Sequence, residues 1–218
     1  MTTQKQVLYS IIAVVVLFAG LFGVYQLVGG GGQDAAVMAQ IKAERPLNRT
    51  LWAAKAPHSL VVFSDFQCPA CKLFDEYLST FEATSSPQFA ITKKVALVFR
   101  YFPLYQIHEF AYPLAYAAEA AGRQGKFEQM ATRMFADQEK FADIKDINVY
   151  IKGIATDLSL DVPRLQKDIN DPSLQQVVQN DLQLGEKVGI NATPTFFLDG
   201  EKLENATPQS LLEALKKL

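Results

Sequence analysis

The sequence predicts an α/β fold with a central mixed sheet flanked by helices, preceded by one N-terminal transmembrane helix. Apolar, β-branched runs at Leu60–Ser64 and Val95–Tyr101 have the pattern of buried strands, and the helical stretch between them completes a βαβ unit. A further β-rich run, Thr195–Leu198, leads through an Asp-Gly hairpin signal into Glu201–Leu203. The third observation is the N-terminal run Val7–Val28, which is almost entirely apolar.

Composition restricts the classes of function. The chain has 218 residues, of which 49% are hydrophobic and 20% charged, as in a globular domain with an apolar appendage. A net charge of −2 without a run of Lys or Arg argues against binding to nucleic acid. The two cysteines are too few for a multi-bridge scaffold, and with two histidines far from them a four-ligand zinc site lacks ligands. No metal is therefore expected.

The N-terminal apolar run predicts a membrane anchor. After a short tail, residues 1–6, the segment Val7–Val28 would extend roughly 33 Å as a helix, enough for a hydrocarbon core of ~30 Å. A cleavable signal peptide is the main alternative, but its apolar core has only ~7–15 residues, and the nearest small-residue site, Val37–Ala39, lies well past the run. Because Lys5 precedes the run and Asp34 follows it, we expect a cytoplasmic N-terminus and an extracytoplasmic domain, periplasmic or at the cell surface.

Residues 29–56 are expected to form a tether between the anchor and the domain. The tether opens with a flexible Gly29–Gly32 hinge, and a short helix around Ala35–Glu44 and an edge segment near Leu47–Leu51 are expected after it. Roughly 25 residues are too few for a separate dimerisation domain. We therefore expect a monomer.

The motif Cys68-Pro69-Ala70-Cys71 follows the first predicted strand and opens a helix that is expected to reach about Ala83. On one turn of helix this spacing lets the two sulfurs form a tight disulfide ring. The first thiol then lies at the helix N-terminus, where unpaired backbone N–H groups favour a thiolate. The motif therefore indicates a redox-active pair, although by itself it also fits half of a metal site or a structural disulfide.

The domain predicted at residues 57–218 carries a helical insertion at about residues 104–188. Its helices are expected at Glu109–Ala121, at Phe127–Ala136, at Asp146–Leu158, from Asp161, and from Asp171 to about Lys187. Asp161 is a predicted N-cap because a proline follows it within the first turn. The apolar stripes of these helices indicate core packing rather than chemistry, and a last helix is expected at Gln209–Lys217.

Four segments go beyond a general α/β pattern: Phe63–Cys71, Arg100–Leu104, Gly125–Phe127 and Gly189–Phe197. Together with the order of elements, they make the chain resemble a thioredoxin fold. The helical insertion is similar to that of the DsbA-like branch of the superfamily, which includes membrane-anchored members. The resemblance spans about Leu60 to Leu218 and implies a thiol–disulfide oxidoreductase.

The resemblance also implies a role for each site residue. Cys68 takes the position of the surface nucleophile and Cys71 that of the buried resolving thiol, so that the redox-active disulfide Cys68–Cys71 stands in place of a cofactor. Pro194 takes the cis-proline position beside it, which leaves the backbone of Thr193 free to pair with a substrate strand. Reduced or unfolded exported proteins are the implied substrates. A membrane-embedded redox partner is implied to reoxidise the pair.

Two positions depart from the family pattern. Strong oxidants of the family carry His at the position of Ala70, so the Cys68 thiolate should be less stabilised here. The disulfide should then be a milder oxidant than DsbA, within the span of about 150 mV that separates DsbA from thioredoxin. The buried acid that many relatives carry six residues before the nucleophile is Val62 in this chain. Its proton-relay role does not transfer to Asp65, because positions 62 and 65 are three residues apart and would point to opposite faces of a strand.

Three other polar residues are assigned no chemistry. Asp65 is expected to be a loop or capping acid. His58 is expected in a loop, and His108 at the surface or at a helix start, because nothing in the sequence places either histidine beside the cysteines.

Three functions stay open at this point. The first is a thiol oxidase that introduces disulfides into exported proteins, and the second is an extracytoplasmic reductase or isomerase. The third is a peptide-binding, chaperone-like module in which the thiols are secondary. Isomerases of this superfamily typically dimerise through an added domain, for which the tether is too short, so the oxidase is preferred.

Overall fold

The computed structural model describes residues 9, 11–20, 31–44 and 46–218. The chain divides into two compact units, Met1–Gln40 and Ile41–Leu218. In the first unit, residues 11–20 are helical, and their large apolar side chains are exposed.

The predicted membrane anchor lies partly outside the described residues. Of Val7–Val28, the structure describes residues 9 and 11–20. Within the described ranges, no helix combines the length and the hydropathy needed to cross a membrane. The anchor stays a prediction.

In the described part of the second unit, the strands form one five-stranded mixed sheet in the order β1-β3-β2-β4-β5. The strands are β1 (Thr50–Trp52), β2 (His58–Ser64), β3 (Val95–Tyr101), β4 (Thr195–Leu198) and β5 (Glu201–Leu203). Strands β2 and β3 are parallel, whereas the pairs β1–β3, β2–β4 and β4–β5 are antiparallel. The α/β class, the βαβ unit and the hairpin are thereby confirmed.

Helices precede, separate and follow the strands. They are α1 (Gly31–Ala43), α2 (Pro69–Ser79), α3 (Phe89–Lys94), α4 (Ala111–Gly122), α5 (Phe127–Ala136), α6 (Ile147–Asp157), α7 (Val162–Ile169), α8 (Pro172–Lys187) and α9 (Pro208–Lys216), with 3-10 turns at Leu47–Arg49 and Gln138–Asp143. Asp161 caps α7 as predicted, because its side chain accepts a hydrogen bond from the backbone N–H of Arg164.

Strands β2 and β3 occupy the centre of the sheet because their side chains are apolar on both faces. Every residue of β3 is buried, as is every residue of β2 after His58. Beyond the end of β2, Phe66 packs between Phe99 and Phe135. The centroid of its ring lies 5.3 Å from that of Phe99 and 5.1 Å from that of Phe135. Each large apolar side chain buried in this way contributes roughly 1.5–3 kcal/mol to stability. The packing fixes the point at which the cysteine motif begins.

Buried charges tie α4 and α8 to the sheet. Asp181 on α8 pairs with Arg100 at 2.7 Å and with Arg49 at 3.1 Å, and Glu119 on α4 pairs with Arg49 at 3.1 Å. These four side chains are no more than 6% exposed. Because an unpaired charge in such a place would cost several kcal/mol, each member depends on its partners. The network therefore holds the helical insertion in one position against β3.

The helix after the cysteine motif is shorter than predicted. It ends at Ser79 instead of near Ala83, because the hydroxyl groups of Ser79 and Thr80 donate hydrogen bonds to carbonyl groups of the preceding turn, at 2.8 and 2.7 Å. Such bonds compete with continuation of a helix. The short helix α3 that follows was not predicted.

The predicted loop position of His58 is wrong. His58 is the first residue of β2, and its Nδ1 atom lies 2.7 Å from Oδ2 of Asp199. Asp199 also accepts a hydrogen bond from the backbone N–H of Ser59 at 3.0 Å. The predicted Asp199–Gly200 turn has positive φ at both residues, as a type I′ hairpin requires. Asp199 therefore shapes this turn and joins it to β2.

Candidate active site

The first cysteine lies where β2 passes into α2. Cys68 is the N-cap of α2 and Pro69 is the first helical residue. The backbone N–H of Cys68 donates to the carbonyl of Asp65 at 3.1 Å, and its own carbonyl accepts from Lys72 at 3.2 Å. A proline suits the first helical position because no N–H is needed there. The Sγ atom of Cys68 is thereby held among the free N–H groups of the helix N-terminus.

The two cysteines are held as free thiols, Cys68 7% exposed and Cys71 2% exposed. A hydrogen bond from the Cys71 thiol, helped by groups of Thr193 and by the backbone N–H groups of Cys71 and Ala70, lowers the pKa of Cys68 to about 5, although burial acts in the opposite direction. Burial, together with the neighbouring Cys68, raises the pKa of Cys71 well above its usual value. At neutral pH, Cys68 is therefore a thiolate and Cys71 a thiol.

A loop distant in sequence lies directly against the first thiol. The peptide bond between Thr193 and Pro194 is cis, and the Cys68 thiol donates a hydrogen bond to the carbonyl oxygen of Thr193 at 3.2 Å. The hydroxyl oxygen of Thr193 is buried and has no hydrogen-bond partner among the described residues. It is available as a donor when Cys68 is ionised. The structure thus brings together Cys68, Cys71, Thr193 and Pro194.

Asp65 organises the loop that precedes Cys68. Its side chain is fully buried and accepts hydrogen bonds from the backbone N–H groups of Gln67 and Leu104, both at 2.7 Å. Nδ1 of His108 lies 3.0 Å from the same carboxylate. Asp65 is therefore a loop acid, one of the two predicted alternatives, and Cys68 rather than Asp65 is the N-cap of α2. His108 lies three residues before α4, near the predicted helix start, and its carbonyl accepts a hydrogen bond from the N–H of Ala111. It is not at the surface, because the fold brings this segment against the cysteine loop and leaves the side chain only 17% exposed.

A second contact to this loop was missed by sequence reasoning. Nε2 of Gln138 donates to the backbone carbonyls of Phe66 and Cys68, at 2.7 and 3.0 Å. Gln138 lies in the 3-10 turn after α5, 70 residues from Cys68. No local pattern marks a glutamine for such a role, and only the packing of the helical insertion on the sheet reveals it.

A cavity of about 70 Å³ lies on the inner side of Cys71. Its wall includes Cys71, Ser64 and Val62, the position where a buried acid was sought in the sequence. Asp75, one turn after Cys71 on α2, also lines it. Sequence reasoning assigned Asp75 no role, although its i+4 spacing from Cys71 was a usable signal.

The arrangement supports thiol–disulfide exchange. A thiolate of low pKa lies at a helix N-terminus, and a second thiol of raised pKa and a loop backbone lie beside it. Cys68 was expected at the surface but is only 7% exposed, because the Thr193–Pro194 loop lies against its sulfur. Among the residues that the structure describes, no group of three His, Cys, Asp or Glu side chains could hold a metal ion.

Comparisons with known proteins agree with this geometry. The family model described as Thioredoxin matches residues 48–217. The Na(+)/H(+) antiporter NhaA 1 of Mycobacterium sp. (strain KMS) is 30% identical over 168 residues, which are 74% of this chain and 25% of that protein. The chain therefore spans about a quarter of the length of the curated relatives it matches first.

Two solved structures are similar in fold. The crystal structure of α-DsbA1 from Wolbachia pipientis superposes with a TM-score of 0.63 at 22% identity, covering 80% of this chain and 92% of that one. The crystal structure of oxidised BdbD from Bacillus subtilis superposes with a TM-score of 0.66 at 20% identity, covering 78% of this chain and 92% of that one. The predicted thioredoxin fold with DsbA-like neighbours is confirmed, and with its family model matched over most of its length this chain belongs to the thioredoxin family.

Proposed function

We propose that this protein is a thiol–disulfide oxidoreductase that oxidises cysteine pairs of exported proteins through a Cys68–Cys71 disulfide. The observation that carries the proposal is that the pKa values of the two thiols are shifted in opposite directions. The pKa of Cys68 is lowered to about 5, whereas the pKa of Cys71 is raised. Cys68 is then the sulfur that substrates contact, and Cys71 is the sulfur that closes or opens the disulfide.

The proposed reaction has two exchange steps. A substrate thiolate attacks the Cys68 sulfur of the disulfide, the S–S bond breaks, and its electron pair leaves on the sulfur of Cys71. A second substrate thiolate then attacks the substrate sulfur of the mixed disulfide, and Cys68 leaves as a thiolate. The substrate pair loses two electrons and the enzyme becomes a dithiol. The low pKa of Cys68 favours its release from the mixed disulfide, because a thiol of low pKa is the better leaving group.

The same shift supports an oxidising direction. Stabilising the thiolate of Cys68 stabilises the reduced enzyme, which makes its disulfide a stronger oxidant. A pKa of about 5 lies between those of thioredoxin, about 7, and DsbA, about 3.5. We accordingly expect a reduction potential between about −270 and −120 mV. Ala70 is the position where a histidine would have strengthened the oxidant further.

The proposal also includes the location of the protein in the cell. We place the domain outside the cytoplasm, as a monomer on an uncleaved anchor at Val7–Val28, with a membrane redox partner that reoxidises the pair. Two facts support this: residues 11–20 are helical with exposed apolar side chains, and the sequence has no charge between Lys5 and Asp34. Tethering would raise the effective concentration of the domain near such a partner. Resistance of the full chain to carbonate extraction, with the domain accessible to external protease in spheroplasts, is the expected result.

Refolding of a reduced, unfolded test protein by the oxidised full-length chain in detergent tests the activity. We expect catalysed disulfide formation, its loss in Cys68→Ser, and a trapped mixed disulfide in Cys71→Ser. An exposed change on the 3-10 turn, Asp143→Asn, should leave the rate unchanged. Full activity of Cys68→Ser would contradict the proposal and favour a chaperone-like module. A potential at or below about −270 mV would favour a reductase.

A further inference from the structure

The cavity behind Cys71 joins the buried thiol to a carboxyl group. Cys71 and Asp75 are four residues apart on α2, so they lie one above the other on the same helix face, with Cβ atoms about 5–6 Å apart. Both line the cavity of about 70 Å³, as does Ser64. A site needs about 10–15 Å³ of such volume to hold one water molecule, so the cavity has room for several. The hydroxyl of Ser64 and the carboxyl of Asp75 give such water the polar partners that it requires.

The exchange reaction needs a proton donor and acceptor at this place. When a substrate thiolate breaks the disulfide, Cys71 is expelled as a thiolate into a site where burial strongly disfavours its charge. In the reverse step the Cys71 thiol must lose its proton before it attacks. Direct exchange with bulk water is hindered because Cys71 is 2% exposed. Val62 occupies the strand position where an acid could have served.

The surroundings of Asp75 suit proton exchange. Burial, and the charges of Glu82, Glu76 and Glu128, raise the pKa of Asp75 to about 7. A group with a pKa near the working pH is the most effective general acid and base, because both of its protonation states are populated. Glu82 and Glu128 also line the cavity but are exposed, which gives it a route to solvent.

We propose that Asp75 exchanges the proton of Cys71 through water in this cavity, and that it replaces the acid absent at Val62. This inference rests on the proposed roles of Cys68 and Cys71. In the oxidising direction, the electron pair of the broken S–S bond stays on the Cys71 sulfur, Asp75 gives up its carboxyl proton, and a water molecule passes a proton to the sulfur. The products are the Cys71 thiol and the Asp75 carboxylate, which takes a proton from solvent through the cavity. The reverse step runs the same transfers backward.

The two release phases of Ellman's reagent with the reduced full-length chain separate the two thiols. The Cys68 thiolate attacks the reagent and releases the first thionitrobenzoate. Cys71 then loses its proton and attacks Cys68, which releases the second. In the wild-type chain we expect the rate of the second phase to rise with pH to a plateau, with a midpoint near pH 7.

Asp75→Asn should slow the second phase at least about tenfold near pH 7, remove the midpoint, and leave the first phase within about twofold of wild type. Asp75→Glu should restore part of the second phase. Asp143→Asn, which removes an exposed carboxylate that does not line the cavity, should change neither phase by more than about twofold.

The outcomes separate this inference from the proposed function. A second phase of Asp75→Asn with wild-type rate and pH midpoint would overturn the role of Asp75, as would a loss of that phase in Glu128→Gln but not in Asp75→Asn. If the wild-type chain itself shows no fast first phase at Cys68, the proposed function fails instead.

Discussion

The thiol of Cys68 lies 3.2 Å from the carbonyl oxygen of Thr193, a residue 125 positions later in the chain. A carbonyl can only accept, so this bond favours the protonated thiol. The hydroxyl of Thr193, buried and without a partner among the described residues, can instead donate to the thiolate, and the Thr193 side chain contributes to the lowered pKa of Cys68. One residue thus contacts both protonation states of the nucleophile.

Replacing Thr193 with valine should raise the pKa of Cys68. The change keeps the shape of the side chain and removes the only hydroxyl donor it brings to the thiolate, so we expect a rise of roughly 0.5–1 pH unit and a slower reaction with alkylating reagents below pH 6. The pH dependence of Cys68 alkylation measures it. Thr156→Val, on the exposed face of α6, is the control. If Thr193→Val leaves the pKa of Cys68 unchanged, the Thr193 hydroxyl does not stabilise the thiolate.

Asp65→Ala should loosen the cysteine loop and reduce stability. It leaves the backbone N–H groups of Gln67 and Leu104 and the ring of His108 without their acceptor. Buried donors left unsatisfied cost roughly 1–3 kcal/mol each, so the free energy of unfolding should fall by about 2–4 kcal/mol in a urea titration. The exposed Asp143→Ala should change it by less than about 0.5 kcal/mol. If the two variants lower the free energy of unfolding equally, the hydrogen bonds of the buried Asp65 carboxylate do not stabilise the loop.

Stability should depend on pH through Asp75. Its pKa is about 7 in the folded chain, and about 3.9 is usual for an unfolded one. Between these values the folded state binds one more proton than the unfolded state, so stability falls as pH rises from about 4 to 7 and the penalty is complete above about pH 7.

Asp75→Asn removes this penalty. Because the carboxyl is only partly shielded from solvent, we expect the variant to be more stable than wild type by roughly 1–3 kcal/mol near pH 8, and equal to it near pH 4. Unfolding curves of both proteins across this range measure the difference. A constant difference at every pH would assign the effect to packing instead of ionisation.

The sequence predicts the sheet well because its strands have simple patterns. Strands β3, β4 and β5 have the predicted bounds. The first two are apolar, β-rich runs, and the third follows the Asp199–Gly200 hairpin turn. The cysteines were found from a local motif, and the place of Thr193 and Pro194 in the site was implied by the family resemblance. The end of α2 at Ser79 was missed because side-chain bonds to the preceding turn, which no periodicity reveals, decide it.

The contacts that hold the site could not be predicted in the same way. His108 reaches Asp65 across 43 positions, and Gln138 reaches the backbone of Cys68 across 70. The buried pairs of Arg49 with Glu119 and Asp181 join three distant segments. Such partners depend on how the helical insertion packs on the sheet. A local pattern identifies each residue as polar but does not say which polar groups will meet.

The pH dependence of Cys68 alkylation is the sharpest test of its role as the nucleophile. The full-length reduced chain is alkylated with limiting iodoacetamide over a range of pH, and mass spectrometry separates modified Cys68 from Cys71. We expect the alkylation rate at Cys68 to reach half its plateau near pH 5, while Cys71 stays unmodified through neutral pH. A midpoint for Cys68 near the ordinary cysteine value of about 8.5, or equal labelling of the two residues, would contradict that role.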